Sequence, residues 1–226
     1  MALSIEYGKK RHTIRWAIIT IIILFLLVCG WFAYRWYEYG DLPPVAFPIA
    51  GADAGVDESV VTTLQIGQYN VQPRYPRTIS IPTIGLTQAR IFPVVLDSNS
   101  ILTYPNNIHD VGWYEKSGLP GDGSVIILDG RSKGTIVPGP FAKLSLMKRG
   151  DKIVIERGDG QQLTYYVSDN EIVTTEGLYT ANKIGLPVRS GEESLNIVAD
   201  SGTWVPRLGM FDHRDFVRAT LVSPLK

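Results

Sequence analysis

The chain reads as a mainly β protein: a closed barrel or sandwich of seven or eight short strands, preceded by one membrane-spanning helix. Three observations predict this. Short runs rich in Val, Ile, Tyr and Thr recur between turn residues from Thr78 onward. Helical patterns in that region are few and short. Ahead of it stands one long apolar segment without a charge.

That segment is Trp16–Tyr34, and its 19 residues span about 28 Å as a helix, close to the hydrocarbon core of a bilayer. Trp16, Trp31, Tyr34, Trp36, Tyr37 and Tyr39 sit near its ends, as aromatic belts do. Lys9, Lys10, Arg11 and Arg15 precede it, and only Arg35 follows closely. The positive-inside rule then places residues 1–15 in the cytoplasm, 16–34 in the membrane and the rest outside. A cleaved signal peptide is the competing reading. Its apolar region is shorter and ends in small residues, whereas Trp31, Phe32, Tyr34 and Trp36 follow here.

Residues 35–77 form the expected linker; from Asp41 they are rich in Pro, Gly and small residues. The domain proper is expected over 78–226. Its strand-like runs are ISIPTIGL, ARIFPVVLD, SVIILDG, DKIVIERG, QLTYYVSD, SLNIVAD and FVRATLV. Asp159-Gly160 between two of them signals a hairpin. Short helices are expected within 140–147 and 177–185.

Composition removes several functions. Lys+Arg and Asp+Glu are 22 each, so no basic excess supports general nucleic-acid binding. Residues 41–226 alone carry 17 basic and 20 acidic side chains, an ordinary soluble balance. The single cysteine, Cys29, lies inside the apolar segment. The remainder can form neither a disulfide nor a Cys-rich metal site nor a CxxC redox pair. No metal-ligand spacing or phosphate-binding glycine loop is evident, so neither a metal nor a cofactor is expected.

From residue 78 to 223 the order of segments resembles the sortases, and within them a class F-like group anchored by an N-terminal helix. The residues that carry this are Ile81-Pro82-Thr83-Ile84-Gly85, the Ala89–Val94 run and the Pro105–Tyr114 stretch with Gly112-Trp113-Tyr114. They continue through Ser117–Gly123, Phe141-Ala142-Lys143-Leu144 and Lys148-Arg149-Gly150-Asp151 to Leu195–Trp204 and Arg214. The resemblance implies a sortase-type closed barrel and a cysteine transpeptidase ancestry. In that chemistry a Cys attacks a peptide carbonyl, a His protonates the leaving amine and an Arg stabilises the oxyanion or positions substrate.

By register with the family, the Cys position falls on Asp200, the His position on Arg131 and the Arg position on Arg214. A carboxylate is a weak nucleophile toward an unactivated amide and forms no thioester. A guanidinium stays protonated, so it serves poorly as a general acid. The expected arrangement is instead an Arg131–Asp200–Arg214 charge cluster in the family's cleft, able to hold a carboxylate or a peptide backbone. Other candidates carry less. His109 reads as structural or exposed. Ser201 with His213 is a hydrolytic pair lacking a third group. Asp129 near Asp200 is a candidate carboxylate pair. Trp113 and Trp204 read as packing.

The sequence therefore points to a membrane-anchored, extracytoplasmic sortase-like protein. It is expected to lack transpeptidase activity and to bind a sorting-signal peptide or a cell-surface protein. The alternative is a sortase, attaching proteins to the cell wall or pili, whose catalytic residues are altered in this chain.

Overall fold

The computed structural model describes residues 8–40, 56–98, 100–134 and 136–222. The first part of the expected cytoplasmic segment and residues 41–55 of the expected linker lie outside them. The chain divides into two compact units.

One unit holds a single long helix, α1 (Gly8–Tyr39), with residues 204–210. Within it, Ile14–Tyr39 is long and apolar enough to cross a membrane, extending the expected span at both ends. Its Ile and Leu side chains and Phe25 are exposed around its whole circumference, as suits lipid rather than a protein core. Arg207 Nε meets Glu38 Oε1 at 3.0 Å.

The second unit is a closed eight-stranded barrel, which settles the choice between barrel and sandwich. Its strands are β1 (Pro76–Ile81), β2 (Leu86–Val94), β3 (Val111–Tyr114), β4 (Val125–Gly130), β5 (Lys152–Arg157), β6 (Gln162–Thr174), β7 (Ser194–Val205) and β8 (Met210–Leu221). They close in the order β1-β2-β3-β4-β7-β8-β6-β5. The β5–β6 hairpin turns at Gly160, whose φ of 81° lies in the left-handed region that glycine enters without steric cost. Closure removes sheet edges.

The structure refines three expectations about local structure. The stretch 41–77, expected to hold little regular structure, contains α2 (Thr63–Gln68) on a capping box between Thr62 and Gln65, and β1 starts at Pro76. The 140–147 segment makes only one 3₁₀ turn, Leu144–Leu146. The 177–185 stretch becomes α3 (Thr175–Thr180) and a separate 3₁₀ turn, Lys183–Gly185, around Asn182 at φ 51°.

Period-2 alternation sends successive side chains to opposite sheet faces. Ile126 and Leu128 of β4, Leu195, Ile197 and Ala199 of β7, and Val217 and Ala219 of β8 fill the barrel core. On the opposite face, Ile127, Val198 and Phe216 build a second apolar cluster with Leu102, Leu178 and Ile184. The cover over that face is tied down by Asn196, whose amide donates to Ile184 O at 2.7 Å and Leu186 O at 2.9 Å.

Candidate functional site

The same alternation places Asp129, Asp200 and Arg214 on the covered outer face, each two residues from an apolar member of the second cluster on its own strand (Ile127, Val198 and Phe216). Parallel pairing of β4 with β7 runs to Gly130↔Ala199, one residue short of Arg131 and Asp200.

Asp200 and Arg214 form a buried ion pair through Oδ1 and Nη1; their side chains are 9% and 2% exposed. Tyr104 completes a triangle: its hydroxyl donates to Asp200 Oδ1 at 2.8 Å and accepts from Arg214 Nη1 at 2.8 Å. The Arg131 guanidinium carbon lies 4.5 Å from the Tyr104 ring centroid, a cation–π distance. Two members of the expected cluster thus meet directly, and the third is tied in across an aromatic ring. Tyr104 had no place in the sequence reading. Its only signal was adjacency to the Pro105–Tyr114 stretch.

Burial pushes the Tyr104 hydroxyl well above its ordinary range, and the charges of Asp129 and Asp200 add to this. Burial alone would lower the Arg214 pKa, but Tyr104, Asp200 and Asp129 around it raise it. The guanidinium is thus fixed as a cation. Asp129 is fully buried, and that burial holds its carboxyl well above the usual carboxylate range. Neither Asp129 oxygen has a hydrogen-bond partner of normal geometry.

The remaining candidates separate. His213 Nδ1 lies 2.9 Å from Asp212 Oδ1, while the Ser201 side chain bonds Asp215; they are not partners. Trp113 is core, its Nε1 donating to Gly118 O at 3.1 Å. His109 lines a groove of about 590 Å³ beside Arg90, Asp110, Ile84 and Leu86, apart from the charge cluster. A second depression of about 470 Å³ is walled by Tyr104, Phe92, Val94, Thr103 and Asn107. Among the described residues no group of three His, Cys, Asp or Glu side chains is placed to hold a metal ion.

The closed β-barrel is the architecture that the resemblance implies, and comparison decides the family. A sortase-domain family model matches residues 79–215. The chain belongs to the sortase family. Among solved structures, a lid mutant of sortase A from Corynebacterium diphtheriae is 23% identical, over 71% of this chain and 77% of that one, with a TM-score of 0.51. Streptococcus pneumoniae sortase C is 17% identical, over 85% and 86%, also with a TM-score of 0.51. At such identities these likenesses speak for the fold alone. No curated protein matches.

Proposed function

We propose that this sortase-family protein is not a cysteine transpeptidase, and that it binds a peptide or cell-surface protein non-covalently at the outer face of the membrane. One observation carries the reading: the only cysteine of the chain, Cys29, lies in the apolar helix. Asp200, at the position the resemblance gives to the nucleophile, is engaged with Arg214 and Tyr104. An acyl group has no thiol to occupy, and a carboxylate held by a guanidinium is a poorer nucleophile still. The basic residues Lys9–Arg15 against Arg35 support a cytoplasmic N-terminus. Sorting-signal peptides are the ligand class the family suggests; Streptococcus pneumoniae sortase C has a pilin substrate specificity.

The full chain in detergent micelles, given a quenched sorting-signal peptide and an amine, is expected to show no turnover. Turnover that Asp200→Ala abolishes would defeat the reading. The double substitution Asp200→Cys with Arg131→His is expected to gain measurable cleavage, because the cleft still accepts the peptide. Failure of that variant, together with no binding of the peptide to the unsubstituted chain, removes the peptide as ligand.

A further inference from the structure

Asp129 has no task in the binding role just proposed, yet it lies in the same compartment. Its carboxyl is fully buried, and both oxygens lack a hydrogen-bond partner of normal geometry. A buried polar group left in this state is costly and calls for an explanation. Arg214 carries the complementary deficiency. Its Nη1 serves Asp200 and Tyr104, while its Nε is buried without a partner. An acid without a donor and a guanidinium with an unused N–H thus share one water-poor space.

The groups acting on Asp129 come from every element around it. Arg214 reaches it from β8, Asp200 from β7 and Arg131 from the residue after β4. Tyr104 faces it from the β2–β3 connection and Tyr179 from α3. The Tyr179 hydroxyl is also buried without a side-chain partner. The two guanidiniums and the Gly130 amide favour an ionised Asp129; burial, first, and the Asp200 charge oppose it.

We propose that Asp129 is a proton-gated second counter-ion for Arg214. Protonated, it leaves the guanidinium committed to Asp200. On losing its proton to solvent it becomes a buried carboxylate, draws the unpartnered Arg214 Nε toward itself and loosens the Asp200–Arg214 pair. No other bond is made or broken. The charge offered to a ligand at the cleft then changes from a closed ion pair to a partly released Asp200 carboxylate. Burial supplies the working range, since it keeps the proton on Asp129 after exposed aspartates have lost theirs.

This deepens the reading of the cleft as a non-covalent site and rests on it, but its test uses no peptide. The turnover assay judges the one and a titration the other. The experiment is carboxyl ¹³C and arginine ¹⁵Nε NMR of the labelled full chain in micelles, from about pH 4 to pH 9. The Asp129 resonance, assigned by its loss in Asp129→Asn, is expected to titrate well above the surface aspartates. The Asp200 carboxyl and Arg214 Nε signals should move in the same step, and Asp129→Asn should abolish that step. Titration of Asp129 among the surface aspartates overturns the proposal, as does an Asp200 step that survives Asp129→Asn. Should the variant not fold, an Arg214 Nε signal in the unsubstituted chain that stays still through the highest aspartate step overturns it equally.

Discussion

Removing the Arg214 guanidinium deprives Asp200 of its buried partner and leaves the Tyr104 hydroxyl with one bond fewer. Breaking a buried pair from one side costs about 3–5 kcal/mol, because a charge is stranded. Arg214→Met is therefore expected to lower denaturant stability by that amount, and the double variant Asp200→Leu/Arg214→Met to recover most of it. If the double variant is as unstable as the single one, the pair is not the source of the loss. Asp129 makes a prediction of opposite sign. Its pKa is raised on folding, so wild-type stability is intact below the unfolded-state value of about 4. It declines as pH rises from there through the folded-state value. Asp129→Asn, which cannot ionise, should match wild type at low pH and become increasingly more stable as pH rises. Thermal unfolding across pH measures this. A variant that gains nothing at higher pH would show that Asp129 is ionised at no cost.

At the scale of elements, β4 holds the geometry together. Ile126 and Leu128 face the barrel core while Ile127 and Asp129 face the covered side, so one strand anchors both apolar clusters and presents the buried Asp129 carboxyl. Its last residue, Gly130, has no room for a side chain. A Cβ there would stand 2.6 Å from Cδ2 of Phe141, which is fully buried. Gly130→Ala must displace that ring, and overpacking of this kind costs about 1–3 kcal/mol. Because Arg131 follows directly, the change should also shift the Arg131–Tyr104 stacking, seen as altered Tyr104 ring signals in NMR. Gly130→Ala with unchanged stability and ring signals would contradict this packing. The loop beyond is held by Glu58, whose Oε2 accepts from the amides of Ile136 and Val137 at 2.9 and 3.0 Å. The stretch expected to be a mere linker thus contributes structure to the barrel unit.

At the scale of the whole molecule, the apolar helix makes the anchor prediction. Leu26→Arg places a charge near the middle of the Ile14–Tyr39 span, at about 2.5–3.5 kcal/mol on insertion scales. Alkaline extraction of membranes should then release more of the protein; equal retention would argue against a spanning helix. Sequence by itself determined the long apolar segment, the β character and the family, because each is written in local patterns: an uncharged apolar run, period-2 strands between turns, and short motifs in order. It also determined that no thiol lies outside the helix, since that is a matter of composition. The family register made Asp200 and Arg214 expected neighbours, but tertiary structure alone added Tyr104 and fixed how the groups meet. Asp200 and Arg214 are 14 positions apart and Tyr104 lies 96 before Asp200, yet the three join in one buried triangle. Barrel closure and strand register create that contact, and no local pattern encodes it. The same holds for Asp129, whose chemistry follows from complete burial, a property of the packed whole that the four residues Leu128-Asp129-Gly130-Arg131 do not express.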